Sequence, residues 1–306
     1  MQFSDLFYKW VPAWLKLLIL FILLFVILTA NGVFLGNTTD MFSSLGVYPE
    51  PYTQAYNALY IGMGLGLMIE VRLKRRFPNK SLLLYGLVMI LLMNIVCAIT
   101  NNPSVTVAAC LVLGFSKMAA LTEVYILWLF IWSKQLDSSR LYPFVYFNAL
   151  AGLYFMTWIT TKLASSYNWR YAYIAVLILV LSCILLTLIF VKNEVLLKKV
   201  PMYQVDWIGL ILLGTTMMLV NYIVVYGKVE DWYNSTKIKA ASLALFISLL
   251  LYIKRTLHIK RPLFNFSLFT KRTFCIGLLY FIALGIFLPS TFQSAFTGGV
   301  LHYGAG

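Results

Sequence analysis

Charged residues are scarce in this chain. Only 11% of its 306 residues are Asp, Glu, Lys or Arg, against about 25% in a typical soluble domain. The chain is 61% hydrophobic, with a mean hydropathy of +0.85. A soluble fold cannot hide that much apolar surface, so a lipid bilayer is the expected solvent. Histidine is scarcer still: His258 lies in a basic stretch and His302 near the C-terminal end. The four cysteines, Cys97, Cys110, Cys183 and Cys275, fall in or at the ends of apolar runs, with no pair at metal-ligand spacing. No His, Cys or carboxylate cluster has the spacing of a metal centre. No Ser-His-Asp set, no phosphate-cradling glycine loop and no polar constellation of an intramembrane enzyme can be found. No catalytic residue, metal or cofactor is therefore expected.

Bases are in surplus. Lys and Arg number 24 against 10 Asp and Glu, a formal net charge of +14. These bases lie between apolar runs rather than on one soluble face. They read as a membrane-topology signal, not as a nucleic-acid surface. Phe, Trp and Tyr make up 16% of the chain, as expected if aromatic rings sit at both membrane interfaces. The N-terminal MQFSDLFYKWVPAWLK is too aromatic, and the apolar run after it too long, for a cleaved signal peptide. It reads as an interfacial segment leading into a first span.

A spanning helix needs about 20 apolar residues. The sequence offers nine such runs, at about 13–34, 53–71, 81–100, 105–132, 143–164, 171–191, 207–226, 240–253 and 273–296. Between the second and third lies GLMIEVRLKRRFPNK, residues 66–80, read as a short basic loop carrying Glu70, Arg72, Lys74, Arg75, Arg76 and Lys80. If the spans alternate from an inside N-terminus, 18 bases fall on the inner side and 4 on the outer, the bias of the positive-inside rule. The expected fold is an all-α polytopic membrane protein. Charged linkers divide it into a six-helix N-terminal bundle (1–192), a linker with two inserted helices (193–256), and the first helix of an incomplete second bundle (257–306). Transporter folds commonly pair two related halves, so a further C-terminal half in cis is the expected partner, besides the bilayer itself.

An ionisable residue at bilayer depth is costly, and so a functional candidate by default. Lys117 lies about 14 residues into the fourth span from the outer link, near the midplane, and Glu123 six residues further, about 9 Å along the axis. At about 100° per residue their directions differ by about 240°, so they are not expected to pair. Glu123 reads either as a proton-coupling carboxylate or as a structural one, bonded to Thr122 or to tyrosines of a neighbouring helix. Lys117 reads as a counter-charge for an anionic substrate, as a partner for an acid of a second half, or as a residue that fixes helix packing or snorkels. Lys162, near the outer end of the fifth span, reads as snorkelling. Asn31 and Asn94 read as hydrogen bonds across helices, and Asp206 as an acid at a helix N-terminus. Gly62, Gly64 and Gly66 suggest a close helix contact, which is compatible with a sliding surface.

Several stretches resemble the major facilitator superfamily, in particular its fourteen-helix drug:proton antiporter branch. Gly66, Glu70, Arg72, Lys74, Arg75 and Arg76 are similar to the loop motif of the superfamily, with Glu70 in place of the usual Asp and the Arg one place late. NWRYAY at 168–173, VDWIG at 205–209, Tyr226-Gly227 followed by Trp232, RPLFNFSLFTKRTF at 261–274 and LPSTFQ at 288–293 resemble later segments of that branch in order. Two departures stand out. The signature of helix five, a Gly-Pro pair with further glycines, is represented only by Gly152, and LGFSKMAALTE stands where an Arg is expected in helix four.

The resemblance implies a secondary transporter of a bacterial cytoplasmic (inner) membrane. It would export small amphipathic compounds in exchange for protons by rocker-switch alternating access. In that reading Glu123 and Lys117 face a central cavity lined by Tyr125 and Trp128, and the loop around Glu70 and Arg72 locks the inner gate. The alternative is a non-transporting sensor or scaffold of the same fold.

Overall fold

The computed structural model describes residues 6–34, 38–132, 139, 141–195, 205–259, 262–264 and 266–285. Among them the regular elements are all helices: α1 (Ala13–Thr29), α2 (Thr38–Leu45), α3 (Glu50–Lys74), α4 (Asn79–Ile99), α5 (Pro103–Trp132), α6 (Tyr142–Ser166), α7 (Tyr171–Phe190), α8 (Trp207–Tyr226), α9 (Thr236–His258) and α10 (Arg272–Gly285). Five of them, α4, α5, α7, α8 and α9, are long and apolar enough to cross a membrane. The chain is thus an all-α protein with the helices of a multi-pass membrane protein. It divides into two compact units, Met1–Leu263 and Phe264–Gly306. In the second, Phe264 and Phe269 form a small aromatic cluster with Phe274 in the first turn of α10.

Each expected span coincides with a helix, as far as the described residues go; 286–296 of the ninth lies outside them, as do LPSTFQ and several basic linker residues. Three differences have clear physical causes. The expected basic loop at 66–80 is mostly helix, because α3 continues to Lys74. Only Arg75 to Pro78 link it to α4. Arg72 and Lys74 occupy the last turn of α3, where cations suit the helix dipole and so extend the helix. The first span stops at Thr29 instead of reaching residue 34, and α2 is an additional short helix. The eighth span, short in the apolar run at 240–253, extends at both ends to Thr236–His258, and its start is set by Ser235, which caps α9 by accepting from the Lys237 amide at 3.2 Å.

Two sets of cross-links define the ends of the first unit. At one end, Phe7 pairs with Val191 in an isolated bridge, and Lys192 N donates to Leu6 O. Asn79 exchanges hydrogen bonds with Glu194, and Lys80 donates to Leu188 O at 2.7 Å. The N-terminal segment, the α3–α4 link and the end of α7 therefore share one face of the bundle. At the other end, Arg170 donates to Ala98 O at 3.1 Å and to Asn101 Oδ1 at 2.6 Å, and Asn57 bonds Asn221 at 3.0 Å. The apolar core is drawn mainly from α1, α3, α4, α5 and α7. The most extensive helix–helix interface joins α3 to α5.

Candidate functional site

The α3–α5 interface is built on glycine. A Cβ at Gly62 would meet the Leu111 backbone, one at Gly114 would meet Leu59 O, and one at Gly66 would lie 2.8 Å from Phe115 O. The two backbones therefore touch, as small residues allow in membrane helices. Gly64, expected in the same contact, has nothing within 4 Å of its Cβ position and is exposed.

Gly62, Gly66, Glu70 and Lys74 follow one another at four-residue spacing, so they lie along one side of α3. On α5 the matching series is Leu111, Phe115, Ala119 and Glu123. The glycine contact thus sets the separation, and the next two turns bring charge to charge. Lys74 Nζ lies 2.5 Å from Glu123 Oε2, with Glu123 fully buried and Lys74 nearly so. Glu70, one turn before Lys74, is 1% exposed. It lies within electrostatic range of both Lys74 and Glu123, yet neither of its oxygens has a hydrogen-bond partner among the described residues. Glu123 Oε1 and Arg72 Nη1 are likewise buried without one. Arg75 and Arg76 are exposed. The structure therefore joins one residue expected in a central cavity, Glu123, to one expected in the gate, Lys74.

Lys117 faces a different helix. Its Nζ donates to Leu28 O at 2.8 Å and to Asn31 Oδ1 at 2.5 Å. Leu28 is in the last turn of α1, whose final carbonyls have no partner within the helix. A cation there satisfies a carbonyl and complements the helix dipole. Tyr173 of α7 does similar work one step on, donating to Gly32 O at 2.8 Å. These two side chains explain why the first span ends early: the broken backbone at depth is met by protein groups, which is the condition for tolerating it there. A Cβ at Gly32 would lie 2.7 Å from Cys110 Sγ and 3.0 Å from Cys97 Sγ, so a larger residue in this turn would have to displace the two thiols. As expected from their 240° difference, Lys117 and Glu123 do not pair.

The remaining candidates are dispersed. Trp128 is buried with its ring 6.0 Å from that of Phe144 on α6. It points about 140° of helix rotation away from Glu123. Tyr125 is half-buried. Asn94 bonds back to Ile90 O of its own helix at 2.8 Å rather than across helices. Lys162 is exposed. Asp206 caps α8 by accepting from Gly209 N at 3.0 Å, as the sequence suggested, and also accepts from Arg255 Nε at 2.7 Å. Sequence reading missed two partners, Lys74 for Glu123 and Asn31 for Lys117. The four-residue series through Gly62 and Gly66 was the signal for the first. Among the described residues no group of three or more His, Cys, Asp or Glu could hold a metal ion.

An apolar groove of about 580 Å³ lies between α3, α5 and α8, lined by Leu65, Leu111, Leu210 and Met218, with Gln54 and Tyr222 among its few polar residues. No protein-family model matches this chain, and no curated protein matches it in sequence.

Proposed function

We propose that the chain acts in secondary active transport, as a member of the major facilitator superfamily in the fourteen-helix antiporter branch. It exchanges protons for small amphipathic compounds across a bacterial cytoplasmic membrane, with its N-terminus inside. One observation carries the reading: two buried carboxyls, Glu70 and Glu123, face a single ammonium, Lys74, in an otherwise apolar α3–α5 interface. An ionised carboxylate buried without a partner costs several kcal/mol. The cluster is electrically balanced when one proton is held on a carboxyl, and that proton is free to move when the helices separate. Alternating access would open the α3–α5 contact at this end and pass Lys74 from one carboxyl to the other. The apolar groove beside the interface suits an amphipathic substrate.

The test is dye movement in proteoliposomes under an imposed pH gradient. Wild-type protein is expected to move an amphipathic cationic dye, and Glu123→Gln, reconstituted to the same level, to lose the gradient dependence. Unchanged coupled transport in Glu123→Gln would remove that residue from the mechanism.

A second reading has its own support. Glu123 and Lys117 are both held by partners within the same unit, which suits a sensor or scaffold that moves nothing. Absence of dye movement by the wild-type protein, in either gradient direction, would select it.

A further inference from the structure

The first turns of α8 and the last two turns of α9 enclose a second groove, of about 700 Å³, lined by Ile208 and Leu212 on one side and by Leu251, Lys254, Arg255 and His258 on the other. On α9, Leu251, Lys254, Arg255 and His258 fall at spacings of three, four and seven, a single stripe. The stripe changes character along its length. Its apolar part adjoins exposed apolar side chains, Ile208 at 56% and Leu251 at 49%, as on a lipid-facing surface. Its basic part lies at the end of the helix, about 5–10 Å further along the axis.

The positive charge of this groove is available. Arg255 uses Nε on Asp206, and its terminal nitrogens make no hydrogen bond among the described residues. Lys254 has no ion-pair partner among them. The His258 Nδ1 donates to Lys254 O at 2.7 Å, since a carbonyl can only accept; Nε2 can then donate to a phosphate oxygen only in the doubly protonated ring. The nearby acid, Asp206, is 3% exposed and already bonded to Gly209 and Arg255. What a ligand meets is therefore basic at the helix end and apolar towards the middle of the helix pair.

We infer that this groove binds an anionic phospholipid. The phosphate sits on Lys254, Arg255 and His258, and one acyl chain lies along Ile208, Leu212 and Leu251. Charge complementarity selects the anionic headgroup, and basic pockets between membrane helices are known to do so. The apolar floor selects a lipid over a free anion, which has no use for it. The Asp206–Arg255 pair then has a second role: it fixes the guanidinium at the helix ends and turns its free edge to the groove. Bound lipid would join α8 to α9 independently of whether the chain transports anything.

The experiment is native mass spectrometry of the full chain in an uncharged detergent, titrated with phosphatidylglycerol or phosphatidylcholine. Each lysine or arginine near an anionic lipid surface is worth about a fivefold factor. Wild-type protein is expected to retain phosphatidylglycerol about tenfold or more over phosphatidylcholine. The double variant Lys254→Gln/His258→Gln, whose side chains are exposed and whose Arg255–Asp206 bond is intact, is expected to fall to near parity. Millimolar inorganic phosphate is expected to leave the bound lipid in place. No headgroup preference in the wild type, or the same preference in the variant, would overturn the site. Displacement by inorganic phosphate would overturn the lipid in favour of a free anion.

Discussion

Lys74 of α3 and Glu123 of α5 form a buried ion pair, Nζ to Oε2 at 2.5 Å, directly beyond the glycines that bring the two helices into contact. Its energetics are asymmetric. Glu70 stands one turn from Lys74 as a second carboxyl, while Glu123 bonds no other base among the described residues. Removing one partner of a buried pair costs about 3–5 kcal/mol when the other is left stranded. Lys74→Met strands two carboxyls and is expected to show that full loss. Glu123→Gln leaves Lys74 with Glu70 and is expected to lose less. Thermal unfolding in detergent of both variants and of Lys74→Met/Glu123→Gln checks this. Equal losses for the two single variants would refute the role given to Glu70.

The glycine contact makes a sharper prediction. Gly62→Val and Gly114→Val both place carbon against backbone that cannot yield like a side chain. Overpacking of this kind costs about 1–3 kcal/mol or more. Gly64→Val, on the same helix but with open space at its Cβ, is expected to cost far less. The yield of monodisperse protein on size-exclusion chromatography separates the two sites. Similar behaviour at Gly62 and Gly64 would contradict the α3–α5 packing.

Lys117 should act on α1. Lys117→Met leaves Leu28 O and Asn31 Oδ1 without their donor. Unpaired buried polar groups cost about 1–3 kcal/mol, so a loss of that order is expected, larger than for Asn31→Ala. Hydrogen exchange of the amides near the end of α1 should rise in Lys117→Met. If stability and exchange are unchanged while dye movement is lost, Lys117 is instead a counter-charge for substrate.

Acid should weaken the α8–α9 link. Lys237 and then Ser235 hydrogen-bond the Glu230 carboxyl and hold it below the ordinary carboxylate range. A group whose value is depressed by folding stabilises above its unfolded pKa, and the gain is lost as pH falls through the folded value. Glu230 is half-buried and its partner Lys237 is exposed to water, so the effect is small and is screened by salt. The unfolding midpoint of Glu230→Gln should lie slightly below that of wild type at neutral pH and converge with it below about pH 4. A gap that widens on acidification would show that this pair is not the cause.

Local pattern alone located the long helices, though not the short α2. Apolar runs of the right length marked them, and α8 matches its expected bounds, Trp207–Tyr226, because Asp206 before it is a cap that acts within one turn. Angular arithmetic on a single helix was also enough to separate Lys117 from Glu123. What local pattern could not supply was the end of α1, since that depends on Lys117 reaching Leu28 O and Tyr173 reaching Gly32 O just beyond it, from 89 and 141 residues away in sequence. Nor could it choose the partner of Glu123. Lys74 is 49 residues distant, and several bases near it carry the same charge. The choice was made by the approach of two backbones at Gly62, Gly66 and Gly114. That close contact aims one turn of α3 at one turn of α5, and only the packed helices contain it.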